Sequence, residues 1–309
     1  MIPAQFEYVR PSSLDETLQI LDDREGEAKL LSGGYSLLPL LKLRLAQPGI
    51  LVDLRDVGGL DQITRTAAEF RIGSRVTHRR IHEDAGLAAG LPILHDAAGG
   101  IGDPQVRNWG TIGGSVAHAD PSSDWPAVLI ALGASIVCVG LAADRRRMRV
   151  GTNVAAIGDA VRERILPARS FFLDTFTTAI EPAEVMTEIR IPIPGPRSGG
   201  AYTKLERRTG DFATVGSAVQ ITLGPDGRVA HAGIGLTAVS ESPMAATEAE
   251  AALEGQIPSE ETVRGAASIA AGESRPVTDG HGPADYKRAM VAEVTMRSLR
   301  SALARAQGA

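Results

Sequence analysis

Two short clusters pair adjacent glycines with hydroxyl side chains: Ser32-Gly33-Gly34-Tyr35-Ser36 and Thr111-Ile112-Gly113-Gly114-Ser115. Glycine takes positive φ without a Cβ clash and lets a ligand approach main-chain N–H groups closely. Successive N–H groups turned into one concavity form a nest for phosphate oxygens, and neighbouring Ser and Thr hydroxyls add donors. This anion chemistry needs no dense basic cluster. One Gly-Gly turn between strands is ordinarily only a turn. Two with the same chemistry can grip a dinucleotide pyrophosphate from both sides. A side chain at Gly33 or Gly113 is expected to block such a ligand while the chain stays folded.

Other constellations carry less. Gly233-Ile234-Gly235-Leu236-Thr237-Ala238 fits a G-x-G-x-x-A fingerprint. That fingerprint needs a strand before it and a helix opening on it. Here it falls inside the second strand of an expected hairpin, with Ser242-Pro243 soon after, so a Rossmann site is rejected. Neither a G-x-x-x-x-G-K-[ST] phosphate loop nor a G-x-S-x-G nucleophile motif occurs. His78 and His82 have the i, i+4 spacing of metal ligands, but no third ligand stands in a matching motif, and a surface helix face is expected. Cys138, within Ile136-Val137-Cys138-Val139, reads as a small buried hydrophobe. One thiol cannot hold an iron–sulfur cluster, which takes about four.

The elements around these clusters are legible. Ser13-Leu14-Asp15-Glu16 has the form of a capping box, and Leu14, Leu18 and Leu21 follow at helical spacing. Residues 28–31 form a strand running into the first glycine turn, and 50–54 a second strand. Strand character returns at 70–73, helices at 77–84 and 91–98, Gly-rich loops between 99 and 114, a helix at 124–132 stopped by Gly133, and a buried strand at 134–139. The Pro-rich run 191–196 suits a strand end and linker. Gly224-Pro225-Asp226-Gly227 supplies turn chemistry between strands at 213–223 and 228–239. Helices at about 243–254, 259–271 and 284–307 follow. The expected class is α+β. An N-terminal domain spans 1–178, in lobes of about 1–55 and 56–178, and a smaller domain of sheet plus helices spans 179–309.

Bulk composition sets the outer limits. The chain has 309 residues, 43% hydrophobic and 22% charged, with net charge -5. An acidic chain argues against nucleic-acid binding, which rests on basic patches. The densest basic run, Arg145-Arg146-Arg147-Met148-Arg149, reads as a solvated loop. A single cysteine, no signal-peptide pattern and no apolar run long enough for a membrane span point to a cytoplasmic protein.

Ordered motifs along almost the whole chain resemble one family. They are Phe6-Glu7-Tyr8-Val9-Arg10-Pro11, then Ser32-Gly33-Gly34-Tyr35-Ser36-Leu37-Leu38-Pro39, then Val106-Arg107-Asn108-Trp109-Gly110-Thr111-Ile112-Gly113-Gly114-Ser115 with Asp120-Pro121-Ser122-Ser123-Asp124. Phe176-Thr177-Thr178 and Tyr202-Thr203-Lys204-Leu205-Glu206-Arg207-Arg208 complete the set. The sequence is similar to the FAD-binding medium subunits of the carbon monoxide dehydrogenase and xanthine dehydrogenase family of molybdenum hydroxylases. The resemblance implies a two-lobed FAD domain of the PCMH/vanillyl-alcohol-oxidase type and non-covalent FAD. It also implies that residues 32–36 and 111–115 grip the pyrophosphate and ribityl chain. Asp124 would accept from a flavin-side hydroxyl, or serve only as a helix N-cap. Lys204 would offset charge on the reduced ring, or be an exposed strand lysine. Tyr35 departs from the family's usual His or Gln, and residues 141–165 do not align and receive no role.

The same resemblance implies partners: a large molybdopterin subunit that oxidises substrate and a small subunit with 2Fe-2S clusters, assembled as a dimer of heterotrimers. The chain would take electrons from the small subunit and pass them to an external acceptor. The alternative is a self-contained FAD-dependent oxidase or reductase of the same fold, which needs its own acid or base beside the flavin. No histidine in a matched motif nominates one.

Overall fold

The computed structural model describes residues 1–142 and 161–308, so the basic run at 145–149 lies outside the described residues. Short strands alternating with helices build the first lobe: β1 (Glu7–Val9), α1 (Leu14–Asp23), β2 (Ala28–Leu31), α2 (Leu37–Lys42) and β3 (Ile50–Asp53). Helical crossovers return each strand in the same direction, so the sheet is parallel, in the order β1-β3-β2. Ser13 caps α1 by accepting from the Glu16 N–H, as expected. The return half of the box is displaced by one residue: the Glu16 carboxylate accepts from the Ser12 N–H at 2.7 Å.

The second lobe begins with β4 (Ile63–Arg65) and β5 (Glu69–Gly73). Six short helices follow: α3 (His78–Glu83), α4 (Ala85–Gly90), α5 (Pro92–Gly99), α6 (Pro104–Trp109), α7 (Ile112–His118) and α8 (Asp124–Ala131). Then come β6 (Ser135–Leu141), β7 (Val161–Pro167), α9 (Ala168–Phe171), the hairpin β8 (Phe172–Asp174) and β9 (Thr177–Thr178), and β10 (Glu184–Pro192). The main sheet is antiparallel, ordered β4-β5-β10-β6-β7. The boundary expected after residue 178 therefore falls inside this lobe, because β10 is the central strand, paired with both β5 and β6. Leu18 and Leu21 of α1 join Val139, Leu141 and Val185 in one buried cluster that fastens the two lobes together.

The Gly-rich loops expected between 99 and 114 give way to α6 and most of the first turn of α7. Asp103 caps α6 by accepting from the Val106 N–H at 2.8 Å, with Pro104 in the first turn. Thr111 caps α7. Helix α6 itself contains no glycine, and in α7 the Thr111 cap outweighs the poor helix propensity of Gly113 and Gly114.

The C-terminal domain is a four-stranded antiparallel meander, β11 (Ser198–Leu205), β12 (Val215–Leu223), β13 (Val229–Thr237) and β14 (Met244–Ala245), followed by α10 (Thr247–Leu253), α11 (Glu260–Glu273) and α12 (Ala284–Gln307). Its two faces are covered by different domains. On one, α12 comes so near that a Cβ at Gly199 would lie 2.1 Å from the Ala302 carbonyl oxygen. On the other, α8 of the second lobe presses on β13, where Cβ atoms at Gly233 and Gly235 would lie 2.1 and 2.0 Å from the carbonyl oxygens of Ala131 and Ala127. The G-x-G-x-x-A segment is thus a helix-on-sheet contact within a strand. Arg169 of α9 and the buried Glu250 of α10 add a bidentate ion pair, at 2.9 and 2.6 Å, across the same domain junction.

Candidate functional site

The parallel ladder of β2 with β3 ends at Leu31 opposite Asp53, which releases residues 32–36 at the end of the first sheet. Gly34, at φ +93°, turns the chain into α2. The N–H groups of Gly33, Gly34, Tyr35 and Ser36 have no acceptor among the described residues. The Ser36 hydroxyl precedes α2 without capping it. This turn therefore presents a run of uncommitted main-chain donors with a hydroxyl beside them.

The second cluster is built differently. Within 111–115, Ile112 N–H donates to Val76 O at 3.0 Å, Gly113 N–H to Ser74 O at 2.9 Å, Gly114 N–H to Thr111 Oγ1 at 3.1 Å and Ser115 N–H to Thr111 O at 3.0 Å. The nest expected there is already filled by protein acceptors. Ile112 is a core side chain, fully buried. A Cβ at Gly113 would lie 2.4 Å from Ser74 O and 2.7 Å from Ser74 Cα, so this glycine exists for close packing. The expectation that a bulky residue at 113 leaves the chain folded is corrected accordingly. Gly114 differs: past Thr111 Oγ1 at 2.9 Å, its Cβ would next meet Ser32 Cβ at 3.9 Å, in the gap between the clusters.

The fold brings the two clusters face to face. Ser32 Oγ and Thr111 Oγ1 share a 2.9 Å hydrogen bond. A Cβ at Gly33 would lie 2.1 Å from the Trp109 carbonyl oxygen, so the first turn rests directly on the chain entering the second. Tyr35 and Trp109 are both exposed at the rim, at 41% and 59%. Arg207, whose guanidinium donates to Gly280 O at 3.1 Å, and Arg208 are exposed as well.

Asp124 and Lys204 are brought together, and both are buried. Ser115 of α7 bonds Ser123 Oγ at 2.7 Å, just ahead of Asp124 at the start of α8. Asp124 Oδ1 accepts from the Tyr202 hydroxyl, and Oδ2 lies 3.4 Å from Lys204 Nζ. Lys204, its side chain only 6% exposed, also donates to Gly100 O at 2.7 Å and Asp211 O at 3.0 Å. The exposed strand lysine is thereby ruled out. Burial pushes the Asp124 carboxyl above its ordinary value, with the Lys204 ammonium pulling it back. Burial and the adjacent Asp124 carboxylate hold the Tyr202 phenol well above its usual value. Tyr202 belongs to the last of the sequence motifs, which by itself assigns it no role. A period-two reading of the strand places Tyr202, Lys204 and Glu206 on one face, where all three meet this cluster.

The histidine pair separates. His78 is buried and accepts from the Trp125 indole N–H at 3.0 Å through Nδ1, with burial pushing its pKa down to about 3. The surface-face expectation is therefore corrected for His78. His82 instead stacks on His95, ring centroids 4.1 Å apart. Cys138 is buried, its pKa pushed up to about 12 by burial. Among the described residues no group of three or more His, Cys, Asp or Glu side chains could hold a metal ion, and no helix is long and apolar enough to cross a membrane.

Comparison with known proteins decides the family. Residues 4–162 match the FAD binding domain in molybdopterin dehydrogenase, and residues 200–302 the CO dehydrogenase flavoprotein C-terminal domain. The chain belongs to this FAD-binding family. It is 38% identical to the carbon monoxide dehydrogenase medium chain of Afipia carboxidovorans, over 99% of this chain and 100% of that one. Its structure matches that of carbon monoxide dehydrogenase from Hydrogenophaga pseudoflava with a TM-score of 0.89 at 41% identity, covering 99% of each chain. Quinoline 2-oxidoreductase from Pseudomonas putida 86 matches with a TM-score of 0.85 at 34% identity, covering 100% of this chain and 99% of that one. As a member, the chain is a flavoprotein subunit of oxidoreductase type, with FAD as its cofactor.

Proposed function

We propose that this chain is the electron-transfer subunit of a heteromeric molybdenum hydroxylase. It takes electrons from a small 2Fe-2S subunit and passes them to an external acceptor, while a large molybdopterin subunit oxidises the substrate. The assembly is a cytoplasmic dimer of heterotrimers. The carbon monoxide dehydrogenase relatives support the partner set. The observation that carries the site is the run of donor groups at Gly33, Gly34, Tyr35 and Ser36, none with a protein acceptor among the described residues, facing Thr111 and Gly114.

The residues fit the group. Main-chain N–H groups of residues 33–36 would hold the pyrophosphate, and the hydroxyls of Ser32, Ser36, Thr111 and Ser115 would supply further donors. Ile112 and Gly113 act from behind, keeping the first turn of α7 pressed against residues 74–76. Gly114 leaves the gap open to the ribityl chain. Asp124 and Lys204 would stand near the ring, and the exposed Trp109 beside the first turn and the exposed Arg207 beyond Lys204 are the candidate partner contacts. FAD, when bound, supplies a carrier able to exchange electrons one or two at a time.

The test is purification followed by reconstitution. The protein should carry stoichiometric flavin that acid precipitation releases to the supernatant, and it should show no hydroxylase turnover until partners are added. Trp109→Ala and Arg207→Glu should each retain FAD but lose assembly with the partner subunits on gel filtration, because Trp and Arg concentrate at interface hot spots. Turnover by the isolated subunit would sink the relay, and normal assembly by both variants would put the partner surface elsewhere.

A further inference from the structure

Lys204 stands at a junction between two turns that belong to different domains. The turn at 99–102 follows α5 in the second lobe, and the turn at 208–213 links β11 to β12 in the C-terminal domain. Lys204 Nζ donates to the carbonyl of the first at Gly100, 2.7 Å, and of the second at Asp211, 3.0 Å. Glu206 Oε2 at 3.2 Å and Asp124 Oδ2 at 3.4 Å compete for what remains. An ammonium has three N–H bonds, and these acceptors exhaust them.

Two further contacts hold the same turns. Arg107 donates to Ile101 O at 3.0 Å and Gly102 O at 2.9 Å from the first. In the second, Gly210 lies at φ +85° so close to the first that a Cβ would sit 2.6 Å from Gly102 O. The turns thus touch backbone to backbone, and Lys204 is the charged pin through the contact. The second turn carries Phe212, 51% exposed.

We infer that Lys204 is a positioning residue, an internal ammonium crosslink that holds the 99–102 and 208–213 turns together beside Asp124 at the start of α8. It shapes the flavin site through that register and donates no hydrogen bond to the cofactor. The inference rests on the FAD-binding reading above. It separates Lys204 from a direct electrostatic partner of the ring, because a pin and a point charge fail differently.

The experiment compares two variants of the full chain. Lys204→Met removes the pin. Gly210→Ala parts the same turns without altering any charge. Because Lys204→Met leaves the buried Asp124 carboxylate with the Tyr202 hydroxyl but no counter-charge, which by itself threatens folding, Asp124→Asn/Lys204→Met serves as the folded counterpart. FAD dissociation constants, the fine structure of the visible flavin band and the flavin midpoint potential are read on each, with thermal unfolding of the apoproteins beside them. The expected result is a loss of roughly tenfold or more in FAD affinity, with the same blurring of the visible band, in Gly210→Ala and in the folded lysine variant alike. A shifted potential in the lysine variant, with unchanged affinity and spectrum in Gly210→Ala, would overturn the inference in favour of a direct charge effect. Wild-type protein that binds no FAD under any condition would overturn the FAD-binding reading instead, so the two failures are distinct.

Discussion

Replacing Gly33 with alanine gives the sharpest measure of how the two glycine clusters depend on each other. The added Cβ would sit 2.1 Å from the Trp109 carbonyl oxygen and 3.0 Å from Gly110 Cα, all of it backbone with no side chain to swing aside. An ordinary carbon–oxygen contact needs the two segments to part by about 1 Å. That separation stretches the 2.9 Å bond between Ser32 and Thr111 beyond hydrogen-bonding range. Overpacking costs roughly 1–3 kcal/mol and the lost bond about 1 kcal/mol. A less flexible unfolded chain offsets about 0.4–1 kcal/mol. The net is about 1–3.5 kcal/mol, and if the cradle absorbs it the FAD dissociation constant rises by about 5- to 300-fold. Gly114→Ala is the companion. Its Cβ projects into the gap, helix propensity improves by up to about 1 kcal/mol, and disturbance of the Thr111 cap takes back about as much. Urea unfolding of the apoproteins and fluorescence titration with FAD should show weaker binding in both, with reduced stability only in Gly33→Ala. Wild-type affinity in Gly114→Ala, or wild-type stability and affinity in Gly33→Ala, would refute the geometry.

Two further outcomes follow from groups behind the site. His78, ordinarily near 6.5 and held at about 3 by burial, stays neutral in the fold, so its contribution to stability is complete above pH 6.5 and drains away as pH falls toward 3. The loss by pH 4.5 is about 2–3 kcal/mol. His78→Asn keeps an acceptor for the Trp125 indole and should flatten that part of the urea-midpoint profile, whereas an unchanged slope would assign it to other groups. Arg305 joins Asp96 at 2.6 and 3.1 Å and ties α12 to α5. The pair is partly exposed, at 36% and 21%, so Arg305→Ala should cost only about 1 kcal/mol in urea unfolding, and no measurable change would show the tie to be idle.

Most of the secondary structure was legible because local signals agreed with the final packing. Thr77, Pro92, Gly133 and the turn at 224–227 all mark boundaries close to those in the structure. The failures have one physical cause. Between 99 and 114, glycine content argued for loops, yet helices form there because Asp103 and Thr111 satisfy N-terminal donors and the segments pack on α3 and residues 74–76. A boundary after residue 178 leaves out β10, which completes its sheet by pairing with strands far back in the chain, out of reach of any local pattern.

The candidate site shows the same limit more sharply. The two glycine clusters are nearly identical in composition, and equal composition argued for equal use. In the fold, the N–H groups of 112 and 113 are claimed by carbonyls at Val76 and Ser74, whereas those of 33–36 meet no acceptor among the described residues. Which main-chain donors remain open is decided by tertiary pairing, and no spacing rule records it. Asp124 and Lys204 tell a parallel story. For each, the family resemblance implies a cofactor contact; in the fold, the strand alternation that puts Tyr202, Lys204 and Glu206 on one face gathers them around Asp124. On the proposed reading, an acidic chain would hold a doubly charged pyrophosphate through neutral main-chain dipoles, with no cluster of basic side chains. Its buried ammonium is committed to setting where two turns stand.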